Sequence, residues 1–250
     1  MSKRLLLIAG HGNGDNGACA TIDEKRHKEA DETRVMVKKI KNQLADYDID
    51  VTVYDTSKNA FKVLSKGGNI DFTKYDYVLE IHFNSCVRDF KGNGKTTGTE
   101  ILLPTRKTPK DITIEKQLLK NISVLGLRNR GTKTQSVRTI NTASLKGVKA
   151  SLLEICFIDD KDDMNIYLQG KNKIAKKIAD AFVKVWRLNK ITTTTARVSF
   201  RSAKEVTPEN RISWISKGAK VVVLKEEEKW LQVEYGGKVG YIVKSKTVLA

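Results

Sequence analysis

Residues 5–9 read Leu-Leu-Leu-Ile-Ala and stop abruptly at Gly10-His11-Gly12-Asn13-Gly14-Asp15. An unbroken apolar run is the pattern of a strand buried on both faces, so the rest of the chain has to cover this one from two sides. The same run delivers one imidazole to the mouth of a loop with little side-chain bulk around it. The 250 residues hold only three histidines, and a second, His82, ends another apolar run, Tyr77–Ile81.

Strands are expected at 4–9, Ile49–Tyr54, Tyr77–Phe83, Thr99–Leu103 and Ala150–Phe157, with a short extended piece within 132–140. Helical periodicity covers Glu24–Leu44, Ala60–Ser65, 111–126 and Lys171–Leu188, and Asp159–Leu168 reads as an acidic loop leading into a helix. This alternation argues for an α/β sheet domain over residues 1–188. Ile191-Thr192-Thr193-Thr194-Thr195 then marks a polar linker at 189–195. From Ala196 to the end the chain becomes short β runs, with Gly236-Gly237 as a hairpin signal, the pattern of a small β-barrel at 196–250.

The net charge of +17 points to an anionic partner such as nucleic acid, an acidic membrane or a wall polymer. The lysines are scattered and no RNA-stacking signature is present, so nucleic acid is not expected. No apolar run is long enough to cross a bilayer, so membrane insertion is not expected either. Cys19, Cys86 and Cys156 form no CxxC pair, which excludes a cysteine-rich zinc knuckle. Met1-Ser2-Lys3-Arg4 before the first apolar run only imitates a signal peptide, because the run is too short and lacks a cleavage site.

Glu154 lies within the apolar run Ala150–Phe157, where a carboxylate is costly unless it is paired, bound to metal or open to a cleft. Two histidines and a carboxylate make the ligand set of a hydrolytic zinc site, and a further carboxylate nearby would serve as general base. Each residue alone has a plainer explanation, a loop histidine or a salt-bridged glutamate. Composition and pattern therefore stop at a metal or acid/base site in an α/β domain.

Four motifs occur in order: Gly10-His11-Gly12-x-Gly14-Asp15-x-Gly17-Ala18, Lys28-Glu29-Ala30-Asp31-x-Thr33-Arg34, Ile81-His82-Phe83-Asn84-Ser85 and Leu152-Leu153-Glu154-x-Cys156-Phe157-Ile158. Together they resemble the zinc-dependent N-acetylmuramoyl-L-alanine amidases, peptidoglycan hydrolases of bacterial autolysins and phage endolysins, over residues 3–188. The resemblance implies a mixed sheet flanked by helices, with Zn2+ held by His11, Glu29 and His82 and Glu154 as the catalytic acid/base. Glu24, His27, Asp31 and Glu32 lie close to Glu29 and compete with it for the ligand role. The family's glycine two residues after the catalytic glutamate is Cys156 here, which implies local repacking.

Residues 196–250 resemble a bacterial Src-homology-3-like (SH3-like) wall-binding domain through Val198-Ser199-Phe200-Arg201-Ser202, Ile215-x-Lys217-Gly218-Ala219-Lys220-Val221 and the segment from Trp230 to Ile242. The implied partners are bacterial peptidoglycan and anionic wall polymers. The implied setting is an endolysin that accumulates in the host bacterial cytoplasm and acts at the wall. A secreted autolysin of the same chemistry and a non-catalytic wall-binding protein are the alternatives.

Overall fold

The computed structural model describes residues 2–249. The chain forms two compact units, one made of the chain up to Ala45 with Ile49–Trp186, the other of Asp46–Asp48 with the chain from Arg187 onward.

In the first unit, β1 (Lys3–Ala9), a hairpin of β2 (Cys19–Ile22) and β3 (Lys25–Lys28), and α1 (Glu29–Gln43) come first. Then follow β4 (Ile49–Val53), α2 (Ala60–Ser65), β5 (Tyr77–Asn84), β6 (Thr99–Pro104), α3 (Thr113–Ser123), β7 (Asn129–Gln135), α4 (Arg138–Leu145), β8 (Lys149–Phe157) and α5 (Lys161–Trp186). The sheet order is β4-β1-β5-β8-β6-β7. Strands β4, β1, β5 and β8 run parallel, whereas β6 is antiparallel to β8 and carries β7 parallel to itself. This is a mixed sheet flanked by helices, and β1 lies inside it.

The period of two along each strand sorts the two faces. Leu6, Ile8, Val78, Ala150 and Leu152 pack with Ala60 of α2 and Ile140 and Ala143 of α4. The opposite face carries Tyr77 and Phe83, which meet Phe182 and Tyr167 of α5 with ring centroids 5.6 and 4.7 Å apart. On β5 the first face begins with apolar Val78 and continues as Glu80, His82 and Asn84. The change from core to polar along a single strand marks where the site is built.

Three segments differ from the sequence expectation. The helix expected from Glu24 begins at Glu29, because Ala20, Ile22 and His27 turn inward on a hairpin whose turn residues Asp23 and Glu24 have φ of 47° and 63°. Positive φ at both positions is what a tight hairpin turn of matching twist requires. Lys161–Trp186 is one helix interrupted at Gly170, so the acidic loop expected at 159–168 is mostly its first turns. The extended piece expected within 132–140 ends at Gln135, and Arg138–Leu145 is helical through buried Ile140 and Ala143.

The second unit holds β9 (Lys190–Thr193), β10 (Val198–Arg201), β11 (Arg211–Ile215), β12 (Lys220–Glu226), β13 (Trp230–Tyr235) and β14 (Lys238–Val243). They form one antiparallel sheet in the order β11-β10-β14-β13-β12-β9. Val198, Phe200, Ile215, Val221, Leu231, Val233 and Ile242 make its core. The expected 189–195 linker is largely β9, because its β-branched run pairs with Lys220–Val223. The backbone N–H groups of Ile191 and Thr194 donate to Asp46 and Ala219 at 2.8 and 3.0 Å. Amide hydrogen exchange tests this: both protons exchange slowly with the rest of the unit, whereas a solvated linker would lose them at the unprotected rate.

Candidate active site

The end of β1 continues its pairing through Gly10, whose N–H donates to Ile81 at 2.9 Å. A side chain is excluded there, because a Cβ on Gly10 would lie 2.4 Å from the His82 ring. His11 follows at φ 60°, a left-handed conformation that costs a residue with a side chain about 1–2 kcal/mol. Bonds from α1 hold it in place. The Arg34 guanidinium donates to the Gly10 and His11 carbonyls at 3.0 Å each, and Thr33 Oγ1 donates to Gly10 at 3.0 Å.

Glu29 is the first residue of α1, and its carboxylate sits between the two histidines. His82 Nδ1 donates to Oε1 at 2.8 Å, and His11 Nε2 lies 3.1 Å from Oε2. The Phe83 and Ala18 backbone N–H groups complete the grip at 3.0 and 2.9 Å. Donor atoms of His11, Glu29 and His82 all lie within 4.8 Å of one another. Burial opposes ionisation of Glu29, but the two imidazole hydrogen bonds and their charge prevail and hold it well below the usual carboxylate range. The same contacts outweigh burial at the rings and raise the pKa of both histidines.

The outward ring nitrogens also face carboxylates. His11 Nδ1 donates to Asp15 at 2.9 Å, and Asp15 is fixed in turn by the Gly17 N–H and Asn59 Nδ2 at 3.0 and 3.1 Å. His82 Nε2 lies 3.5 Å from buried Glu80.

Glu154 is the cross-strand partner of His82 on one side and of Glu100 on the other. Its Oε2 is buried with no hydrogen-bond partner among the described residues. Burial pushes its pKa up to about 7; the charges of Glu29, Glu100 and Glu80 add to the rise, and His82 opposes it. Glu100 is itself neutralised by Arg130 and Lys133 at 2.7 and 2.6 Å, and it accepts from Asn84 at 2.8 Å.

The competing acids near Glu29 lie elsewhere. Glu24 is exposed on the hairpin turn and Asp31 is exposed on α1. Glu32 bonds Tyr167 and Lys171 at 2.8 and 2.6 Å and pairs with His27 at 3.2 Å, away from His11 and His82. Cys156 is fully buried. A second group, Asp89, Asp160 and Asp162, gathers where α5 starts. There Asp162 accepts from Asn93 and Gly94 and Asp160 from Thr97, which fastens the loop after β5. Sequence reasoning singled out neither Glu80 nor Asn59. A carboxylate two residues before His82 in an apolar run was the available signal for Glu80, whereas nothing in the sequence marks Asn59.

A family model described as N-acetylmuramoyl-L-alanine amidase matches residues 5–184. The endolysin of Bacillus phage SPP1 is 27% identical over 199 residues, which cover 76% of this chain and 68% of that protein. Cwp6 from Clostridium difficile superposes with a TM-score of 0.58 at 23% identity, covering 75% of this chain and 29% of that one. The N-acetylmuramoyl-L-alanine amidase from Clostridium difficile 630 gives 0.57 at 20% identity, covering 74% and 97%. Likeness at these structural identities establishes a shared fold.

The tightness of the Gly10 contact yields a test. Gly10→Ala displaces the His82 ring, so zinc uptake by the candidate cluster, measured by chelator competition, is expected to fall by about tenfold or more while the fold persists by circular dichroism. Unchanged affinity would mean that the ring position does not matter for metal binding.

Proposed function

The chain belongs to the N-acetylmuramoyl-L-alanine amidase family, and from that membership we propose that it hydrolyses peptidoglycan at the amide between the lactyl group of N-acetylmuramic acid and L-alanine. The observation that carries the proposal is the Glu29 carboxylate gripped between His11 and His82, with Glu154 beside His82 on the next strand.

This donor set fits zinc. Two imidazoles and a carboxylate converge on one place, and the neighbouring Glu80 and Glu154 each bury an oxygen without a hydrogen-bond partner among the described residues. A cation relieves such a concentration of negative charge. When bound by His11, Glu29 and His82, zinc polarises the scissile carbonyl and brings the pKa of a water near neutrality.

The chain's own residues supply the rest. His11 Nε2 and His82 Nδ1, the nitrogens that face Glu29, would be the metal donors; the Asp15 hydrogen bond favours a proton on His11 Nδ1, and Glu80 stands 3.5 Å from His82 Nε2. Glu154 takes a proton from the attacking water as the new C–O bond forms. It then passes that proton to the departing nitrogen as the C–N bond breaks. The products are a lactyl carboxylate and a free L-alanine amino group. Arg130 and Lys133 balance Glu100, which limits its push on the neighbouring Glu154.

The C-terminal residues 196–250 are proposed as an SH3-like wall-binding domain, completed on its edge by β9. Its short antiparallel strands around an aliphatic core support that reading. Likeness to a phage endolysin supports a lytic role at the wall of a host bacterium.

Mass spectrometry of digested walls tests the bond assignment. The expected products carry new L-alanine amino termini, and new reducing sugar ends would mean a glycosidase. Glu154→Gln is expected to slow cleavage by about 100-fold or more with zinc still bound; full activity in that variant would remove Glu154 from the chemistry. Glu154 works as a base only when ionised, so the rate rises with pH across its pKa. Zinc adds positive charge, so this limb lies between the ordinary 4.5 and about 7. A rate that is flat over that range would contradict the assignment.

A further inference from the structure

On the edge strand β11 the Trp214 indole is 44% exposed, and two guanidinium groups lie over its ring. Arg197 stands 4.2 Å and Arg211 5.0 Å from the ring centroid. An indole face attracts a cation through its quadrupole, so both long side chains are held against one exposed ring. The unit's ion pairs lie elsewhere, Lys204 and Lys225 with Glu227 and Lys244 with Glu226. Among the described residues no carboxylate pairs with Arg197 or Arg211. Residues 196–250 carry 11 Lys and Arg against 6 Asp and Glu, so the surroundings reinforce the positive potential.

We propose that Arg197, Arg211 and Trp214 form a binding site for the phosphodiester groups of an anionic polyol-phosphate polymer of the cell wall. The proposal rests on reading this unit as wall-binding, and it names what the unit holds. A carboxylate offers two coplanar oxygens, which one guanidinium fork can satisfy. A phosphodiester is tetrahedral and can accept from two forks that approach from different directions. The exposed indole adds an apolar surface for the polyol carbons beside the phosphate. Repetition along the polymer lets successive phosphates engage the site and its basic surroundings.

The test uses the full chain with poly(glycerol phosphate) as the soluble probe, read by isothermal titration calorimetry at several salt concentrations. Arg197→Ala, Arg211→Ala and Trp214→Ala are each expected to weaken binding by about tenfold. Arg197→Lys and Arg211→Lys are expected to recover only part of it, since an ammonium keeps the charge and loses the fork. Lys220→Ala, an exposed lysine on another strand, serves as the charge control and changes affinity less than about twofold. Equal losses for Lys220→Ala and the arginine variants would reduce the binding to diffuse charge and overturn the site. A single-stranded oligonucleotide that binds more tightly through the same three residues would overturn the choice of ligand. Cosedimentation with walls before and after hydrofluoric acid removal of the phosphodiester polymers separates the two readings. Unchanged retention on stripped walls overturns the phosphodiester site and leaves wall binding standing, whereas no retention on either sample overturns both.

Discussion

The first unit depends on one carboxylate placed where three chain segments meet. Glu29 accepts from His82 and Phe83 of β5 and from Ala18 ahead of the hairpin, and it lies beside His11 at the exit of β1. Being the first residue of α1 puts it at the positive end of a helix, where a negative side chain is favoured. The same helix supplies Thr33 and Arg34, which hold the backbone around His11. One helix start thus sets both a donor and the loop that carries another.

The site is expensive to fold. Glu80, Glu100 and Glu154 gather with His82 on one sheet face beside Glu29 of α1, and Glu29, Glu80 and Glu100 are each only 3% exposed. Only Glu100 has full-time cations beside it, Arg130 and Lys133. Uncompensated carboxylates away from water destabilise a fold by several kcal/mol, and the apolar cluster at the other end of the same face offsets that cost. A divalent cation on the proposed ligands would remove much of the repulsion, and its binding would then be coupled to stability. The Glu154 pKa belongs to the same balance, because burial first, and then the neighbouring carboxylates, push it up to about 7.

Much of this was legible in the sequence. The apolar runs that became β1, β5 and β8 stand out because buried parallel strands are apolar without alternation, and they end at or contain His11, His82 and Glu154. Other parts were hidden for physical reasons. The second half of the β2–β3 hairpin, from Glu24, reads as the start of a helix because its charged residues merge with those of α1, whereas positive φ at Asp23 and Glu24 turns the chain there. The Thr-rich stretch at 190–193 has linker composition and becomes a strand because β12 is there to receive it. Asn59 reaches Asp15 across 44 residues of sequence, a contact that no local pattern records.

Anomalous diffraction at the zinc edge, from crystals of the full chain grown with zinc, tests the central claim most directly. One strong site is expected, bonded to His11 Nε2, the Glu29 carboxylate and His82 Nδ1, with Asp15 still hydrogen-bonded to His11 Nδ1. Zinc on His82 Nε2 with Glu80, or zinc among Asp89, Asp160 and Asp162 with none at His11, would contradict it.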